Sequence, residues 1–356
     1  MSQDRRVLLL EFTESHHVLF HPQILALREA GYEPHALVGE RFVERISPEL
    51  CARVETFPGG ARTGVWRALR LATARGYRKA VLNTANGSAA RDFALASLLL
   101  PRLEVVGINH YIGKFTHSPT QSLISRKVRK YFVLSDIFRE AGALPERLPG
   151  LTVRTFHPVF YPQLAEAEPP ATGLVLVVPG AVQQVRRDYF GLLDMLHRGR
   201  DRLPEGLRIE LVGACDTGDG RALRRQAENL GLETVFGFHE GFVSVETYDR
   251  LMRSAHAVLP LLHTDDPAYT EFLTYKVSGA YHVGPGYRLP YVMFEDYRRF
   301  SDFAPVSAFY GRDTLPEALS RVADPKQRAA LRAGYDTLSK FSLAAQSRAY
   351  AELLEA

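Results

Sequence analysis

The chain has 356 residues, of which 46% are hydrophobic and 24% are charged, and it contains no low-complexity tract. This length exceeds what one hydrophobic core usually organises, so we expect two domains and exclude a disordered protein. The net charge of +4 comes from 44 Lys and Arg against 40 Asp and Glu. This mild balance argues against a nucleic-acid partner and suits an anionic small molecule or a membrane surface.

The cysteines and the N-terminus bear on location. Cys51 and Cys215 lie far apart in sequence and form no disulfide framework, which predicts a reducing compartment. Only four apolar residues, at 7–10, precede Glu11, too few for a signal peptide or a membrane span. We therefore expect a cytoplasmic protein.

The first half of the chain alternates apolar strands with helices. Strands are predicted at 7–12, 34–38, 80–83, 105–108 and 131–134, and helices at 22–30, 65–74, 92–100 and 136–141. Such an alternation predicts βαβ units with a parallel sheet.

Polar loops follow two of these strands, at the edge where open α/β sheets bind ligands. The loop after strand 7–12 contains Glu14, His16 and His17. It lacks the G-x-G-x-x-G dinucleotide fingerprint, which we find nowhere in the chain, and this disfavours a nicotinamide dehydrogenase. Asn109 and His110 directly follow strand 105–108, where a histidine can bind a substrate or move a proton. The alternative is a histidine bonded to the backbone at a strand end.

The segment 163–172 (QLAEAEPPAT) has two prolines and no apolar pattern, which predicts a linker between domains. The alternation then restarts. Strands are predicted at 174–178, 207–212, 234–238, 257–262 and 290–294, and helices at 221–230, 245–254, 272–282, 316–323 and 325–354, the last broken near Gly334.

A candidate diphosphate site follows the strand at 174–178. Pro179-Gly180 breaks this strand, and a polar loop carries Arg186 and Arg187 to a helix for which Asp188 is the predicted N-cap. Helix N-termini and bidentate arginines both favour phosphate groups. The alternative is a surface loop with two solvated arginines.

The order of signals in the second half resembles a known family. PGAVQQVRRDY, LRIELVGA, VFGFHEGFVSVETYDRLMRSAHAVLPLL and TYKVSGAYHVGPGYRLPYV, between 174 and 292, resemble successive motifs of retaining glycosyltransferases of the family 4 type. The resemblance implies the GT-B fold, an α/β fold with two Rossmann-like, doubly wound parallel-sheet domains facing a cleft. It implies an acceptor domain at 1–165, a nucleotide-sugar donor domain at 173–335, and a last helix at 336–356 that packs back on the first domain.

The resemblance also implies roles for individual residues. The expected donor-binding set is Gly180, Arg186, Arg187, Phe238, Tyr269, Glu271, Lys276, Ser278 and Gly279. The expected acceptor-binding set is His16, His17, Asn109, Lys114 and His117, and the expected catalytic residues are His110, Glu14 (as a base) and Arg187. The family's E-x7-E pair is incomplete, because Glu271 is followed by Ser278-Gly279 where the second glutamate belongs.

The sequence therefore predicts a glycosyltransferase that uses a nucleoside-diphosphate sugar as co-substrate, with no other cofactor. No D-x-D triplet occurs, so we expect no metal, and retention of the anomeric configuration follows if family 4 is the relative. The predicted acceptor is a glycan, a lipid-linked glycan or a small molecule, with peripheral contact at the inner face of a membrane as a further hypothesis. The alternatives are an inactive sugar-nucleotide-binding protein and a GT-B sugar-nucleotide epimerase.

Overall fold

The computed structural model describes residues 5–13, 16–144, 148–241 and 243–356. The chain divides into two compact units. Unit 1 comprises Met1–Pro162, Tyr275–Val277 and Lys340–Ala356, and unit 2 comprises Gln163–Thr274 and Ser278–Ser339. The division falls at the start of the predicted linker; the roles assigned to the predicted domains stay predictions.

Unit 1 is built on a seven-stranded parallel sheet in the order β3-β2-β1-β4-β5-β6-β7. Its strands are β1 (Arg6–Leu10), β2 (Glu33–Gly39), β3 (Arg53–Phe57), β4 (Lys79–Leu82), β5 (Glu104–Asn109), β6 (Lys130–Val133) and β7 (Thr152–Thr155). Its helices are α1 (Phe20–Glu29), α2 (Ala61–Arg75), α3 (Gly87–Ala96), α4 (Lys114–His117), α5 (Pro119–Ile124) and α6 (Ile137–Glu140).

Unit 2 contains a six-stranded parallel sheet in the order β10-β9-β8-β11-β12-β13. Its strands are β8 (Leu174–Pro179), β9 (Leu207–Ala214), β10 (Phe236–His239), β11 (Ala257–Val258), β12 (Tyr291–Phe294) and β13 (Ser307–Tyr310). Its helices are α7 (Tyr189–Arg198), α8 (Gly218–Asn229), α9 (Val245–Arg253), α10 (Ala280–Tyr287), α11 (Leu315–Ala323) and α12 (Pro325–Ala333). The predicted α/β class with two parallel sheets is confirmed.

The last helix, α13 (Leu343–Glu355), belongs to unit 1 and packs against α1. Tyr350, Leu353 and Leu354 of this helix are buried in the same cluster as Phe132 and Phe156. The C-terminal helix therefore completes the hydrophobic core of unit 1.

The strand order of each sheet reverses direction at one point, between β1 and β4 in unit 1 and between β8 and β11 in unit 2. Loops on either side of such a point leave a crevice at the carboxyl ends of the strands, where α/β proteins bind ligands. The candidate residues that follow β1, β5 and β8 are thus at the appropriate edges.

Several predicted elements are wrong or displaced. The predicted helix 272–282 is displaced towards the C-terminus: Pro267–Leu273 is a 3-10 helix, Tyr275–Val277 belongs to unit 1, and α10 begins only at Ala280. The predicted strand 257–262 ends at Val258, and Leu261 has φ 56°. The predicted helix 325–354 breaks at Gly334 as expected, but α13 begins only at Leu343, and 3-10 turns lie between the two helices. Among the described residues, no helix is both long and apolar enough to span a membrane.

Candidate functional site

The loop after β8 begins at Gly180, which lies in close contact with Gly213 of β9. Gly180 has φ +103°, which favours glycine, and a Cβ atom at Gly213, near the end of β9, would lie 2.4 Å from the Gly180 carbonyl oxygen. Two strand ends therefore approach backbone to backbone.

The two adjacent arginines of this loop have different environments. Arg186 is exposed, whereas Arg187 is only 7% exposed. The Arg187 guanidinium lies against Gly180, so a Cβ there would be 3.0 Å from Nη2. Its Nε has no hydrogen-bond partner, and among the described residues no carboxylate lies within 4 Å of the guanidinium. A buried cation without an acidic partner is costly in a folded protein, and an anionic ligand would compensate it.

Behind the loop, buried polar side chains connect three strand ends. Asp188 caps α7 by accepting a hydrogen bond from the Gly191 N–H, as predicted. Its Oδ2 also accepts hydrogen bonds from His263 Nδ1 and Arg312 Nη1, both at 2.8 Å. Burial alone would raise the pKa of Asp188, but these hydrogen bonds hold it well below its usual range. The network fixes the residue that follows Arg187.

Two of the expected donor-binding residues contact other side chains and loops of unit 2. Tyr269 is buried, and its hydroxyl donates to the Gln184 carbonyl oxygen, so it supports the loop from behind. Phe238 is half-buried, and the Arg224 guanidinium lies 4.7 Å from its ring centroid. The Arg224 guanidinium therefore covers one face of the Phe238 ring.

The remaining donor candidates fall into two groups. Ser278 is buried at the beginning of α10, Gly279 is the exposed N-cap of that helix, and Glu271 is half-buried in the preceding 3-10 helix. Lys276 lies in unit 1, where its backbone pairs with Tyr111 and its Nζ is 5.8 Å from the Tyr111 ring centroid. Lys276 is thus assigned to unit 1 and the other donor candidates to unit 2, and its role stays a prediction.

In unit 1 a buried carboxylate follows β1. Glu11 is 1% exposed and accepts hydrogen bonds from Thr13 Oγ1, Thr84 Oγ1 and Asn83 Nδ2, at 2.7, 2.6 and 2.7 Å. Burial raises the pKa of Glu11, and these hydrogen bonds act in the opposite direction. The carboxylate joins the loops after β1 and β4, on the two sides of the crevice.

His16 and His110 come together at this edge. Their rings stack with centroids 3.7 Å apart, and His110 Nε2 is 2.8 Å from the backbone oxygen of Asn83. Because a carbonyl oxygen only accepts hydrogen bonds, His110 carries a proton on Nε2. Asn109 is fully buried and its Oδ1 accepts from the Tyr111 N–H, so its side chain bonds the following loop rather than His110.

The other acceptor candidates are more scattered. His17 is half-buried with its ring edge towards Phe42, and burial, with the nearby Arg45 charge, lowers its pKa to about 4. Lys114 and His117 begin and end the short helix α4, and His117 is exposed. Glu14, the predicted base, lies outside the described residues.

Sequence reasoning missed four residues of these sites: Glu11, Asn83, His263 and Arg312. Glu11 and Asn83 lie directly after the apolar strands β1 and β4. The same pattern, a polar residue at the end of an apolar strand, led to the prediction of His110. His263 and Arg312 lie beyond strand ends, and only the fold brings them into contact with Asp188.

Solved structures match the chain in fold, whereas no protein-family model and no curated protein matches it. Structures of HepE from Anabaena, in complexes with UDP, UDP and glucose, and UDP-glucose, give TM-scores of 0.68, 0.69 and 0.68. They are 16% identical and cover 98% of this chain and 99% of that chain. Sucrose-phosphate synthase from Thermosynechococcus elongatus gives 0.66 at 14% identity, covering 98% of both chains. A putative UDP-N-acetylglucosamine 2-epimerase from Listeria monocytogenes gives 0.60 at 11% identity, covering 95% of this chain and 96% of that chain. The predicted GT-B fold is thereby confirmed.

Proposed function

We propose that this protein is a glycosyltransferase that moves a sugar from a nucleoside-diphosphate sugar to an acceptor hydroxyl group. The observation that carries this proposal is Arg187, a buried cation without an acidic partner among the described residues, at the carboxyl end of β8. The fold shared with HepE, whose structures contain UDP and UDP-glucose, supports the same assignment.

The chemistry follows from the charge that develops during transfer. When the bond between the anomeric carbon and the diphosphate oxygen breaks, negative charge grows on the departing nucleoside diphosphate. A fixed guanidinium stabilises this charge without having to reorganise. We therefore propose a metal-independent reaction, with Arg187 as the main cation of the donor site in unit 2. Retention of configuration is part of this proposal.

The acceptor is proposed to bind at the carboxyl edge of the sheet in unit 1. His110 Nε2 carries a proton and donates it in a hydrogen bond to the Asn83 carbonyl oxygen. In the neutral ring, the basic lone pair is then on Nδ1. That nitrogen can accept a hydrogen bond or a proton from an acceptor hydroxyl. The acceptor class that we propose is a glycan, a lipid-linked glycan or a small molecule.

The test is binding followed by turnover. Thermal stabilisation is measured with UDP, GDP and a panel of their sugar conjugates, and release of the free nucleotide is then measured with a panel of acceptors. Selective stabilisation by one diphosphate, with acceptor-dependent nucleotide release, supports the transferase. If no diphosphate or sugar nucleotide stabilises the protein, the proposal is wrong.

Two alternatives are separated by the same experiment. An inactive sugar-nucleotide-binding protein is stabilised by a donor but releases no nucleotide with any acceptor. An epimerase remains an alternative because the Listeria structure has the same fold. It would change the configuration of the donor sugar without an acceptor, and the proton NMR spectrum of the donor would show this change.

We also propose peripheral contact with an anionic membrane, through the outer face of α2. This helix carries four arginines and no acidic residue, and its Trp66 is 74% exposed. Exposed tryptophan and arginine are typical of surfaces that bind anionic lipids. Co-sedimentation with phosphatidylglycerol vesicles, but not with phosphatidylcholine vesicles, is expected and should weaken in Trp66→Ala. The proposed membrane contact would be contradicted if the wild type and Trp66→Ala sedimented equally with phosphatidylglycerol and phosphatidylcholine vesicles.

A further inference from the structure

A chain of buried hydrogen bonds runs from the C-terminal helix to the candidate acceptor site. Tyr350 of α13 is fully buried, and its hydroxyl donates to Gln23 Oε1 at 2.7 Å. Gln23, on α1, is also fully buried and donates through Nε2 to Asn83 Oδ1 at 2.6 Å. All three side chains lie within unit 1.

The direction of each hydrogen bond in this chain is fixed. Gln23 Nε2 also donates to the Leu19 carbonyl at 2.9 Å, and a carbonyl can only accept. Gln23 therefore points its amide nitrogen towards Asn83 and its oxygen towards Tyr350. Because Asn83 Oδ1 accepts from Gln23, the Asn83 amide nitrogen must point away from α1.

The far end of the chain reaches the two stacked histidines. Asn83 Nδ2 donates to Glu11 Oε2 at 2.7 Å and to the backbone oxygen of His16 at 3.1 Å. His16 has φ 60°, a backbone conformation that non-glycine residues rarely adopt. The hydrogen bond from Asn83 helps to hold this conformation, and the His16 ring in turn stacks on His110.

We propose that Tyr350 and Gln23 are positioning residues for the acceptor site. Through Asn83 they set the place of His16 and, by stacking, of His110. The C-terminal helix thereby acts on the site from within unit 1, without contacting the substrate. The inference rests on the proposed function for its kinetic consequence, but the placement of the two histidines can be tested without it.

A second hydrogen bond from the same helix provides a matched control. The Tyr32 hydroxyl donates to Glu355 of α13 at 2.9 Å, and Tyr32 is 5% exposed. This bond also joins α13 to the rest of unit 1, but no described hydrogen bond continues from it to Asn83. Tyr32→Phe and Tyr350→Phe each delete one hydroxyl between the same helix and its unit.

Gln23→Glu is the sharper variant. It keeps the shape of the side chain but, in its ionised form, replaces the donating amide nitrogen by an acceptor oxygen. Asn83 must then turn its nitrogen towards α1, so its oxygen faces the Glu11 carboxylate and the bond to His16 is lost. Gln23→Met, which removes the polar group without reversing it, separates a reversed hydrogen bond from a missing one.

The first readout is the side-chain proton–nitrogen NMR spectrum of the histidines, with the His16 and His110 signals assigned by His16→Gln and His110→Gln. We expect both signals to move in Tyr350→Phe and more strongly in Gln23→Glu, but not in Tyr32→Phe. The second readout is kinetic: the KM for the acceptor should rise about fivefold in Tyr350→Phe, since one buried hydrogen bond contributes roughly 1 kcal/mol. The KM for the donor should not change.

The two readouts keep the inference separate from the proposed function. Histidine signals that move in Tyr350→Phe and Gln23→Glu support the positioning chain even if no transfer is detected. Signals that stay fixed in both variants would overturn it, as would equal effects of Tyr32→Phe and Tyr350→Phe on the acceptor KM. If the variants had a lower melting temperature but unchanged histidine signals and an unchanged acceptor KM, Tyr350 and Gln23 would only stabilise the fold, and the inference would also be overturned.

Discussion

Replacing Arg187 by methionine should make the ligand-free protein more stable and its donor binding weaker. Arg187 is 7% exposed, its Nε has no partner, and no described carboxylate lies within 4 Å of it. A buried charge without compensation costs the folded state several kcal/mol, of which methionine would recover about 2 kcal/mol while still filling the space of the stem. For a unit of this size that corresponds to a melting temperature roughly 4–8 °C higher.

The effect on the liganded protein has the opposite sign. A hydrogen bond to a charged group contributes about 1.5–3 kcal/mol, so losing the guanidinium weakens diphosphate binding by roughly 10- to 150-fold. At a nucleotide concentration 100 times the wild-type Kd, the ligand stabilises the wild type by about 2.7 kcal/mol. With a 30-fold weaker Kd, the same concentration stabilises the variant by only about 0.9 kcal/mol.

The assay is thermal unfolding with and without UDP or GDP, whichever stabilises the wild type. Arg186→Met, next along the chain but exposed, and Arg225→Met, on the exposed side of α8, serve as comparisons. Both should change the ligand-free melting temperature much less than Arg187→Met. A ligand-free Arg187→Met protein that is less stable than the wild type would refute the reasoning, because it would mean that Arg187 is already paired within the fold.

Three further outcomes are expected. The pKa of His17 is lowered from 6.5 to about 4, so its neutral form stabilises the fold above pH 6.5 and this contribution is lost as the pH falls towards 4. In His17→Gln the melting temperature should therefore fall less than in the wild type when the pH is lowered from 6.5 to 4. Gly213→Ala, with its Cβ 2.4 Å from the Gly180 oxygen, should cost about 1–3 kcal/mol and abolish nucleotide stabilisation, whereas Gly218→Ala, with open space around it, should not. Chelation by EDTA should leave donor turnover unchanged, because an arginine supplies the positive charge; restoration by added Mg²⁺ would contradict this.

The central strands could be predicted from the sequence, but of the four edge strands only β10 could be. β1, β4, β5 and β8 are buried on both faces and appear as apolar runs. The unpredicted strands β3, β7 and β13 each lie at the edge of a sheet. An edge strand is less enclosed than a central one and needs no continuous apolar run; β3 and β7 have the sequences RVETF and TVRT. The patterns that define a sheet interior are weak at its borders.

The candidate site was predictable to the loop but not to the side chain. Arg186 and Arg187 are equivalent in the sequence, and only the folded loop, with its close approach to Gly180, makes one exposed and the other buried. The predicted helix at 272–282 is displaced because apolar residues such as Val277 pack against unit 1 rather than along one helix. Long-range packing of this kind leaves no periodic pattern in the chain.

The position of α13 has a consequence for the order of folding during synthesis. All of unit 2 lies between the first segment of unit 1, Met1–Pro162, and its last, Lys340–Ala356, so the ribosome completes unit 2 before α13 emerges. Until then the sheet of unit 1 lacks Leu353 and Leu354, which bury the apolar surface of α1. Unit 2 is thus the first to have its full set of core residues. Until α13 has emerged, the part of unit 1 that is made first exposes an apolar face of the kind that chaperones bind.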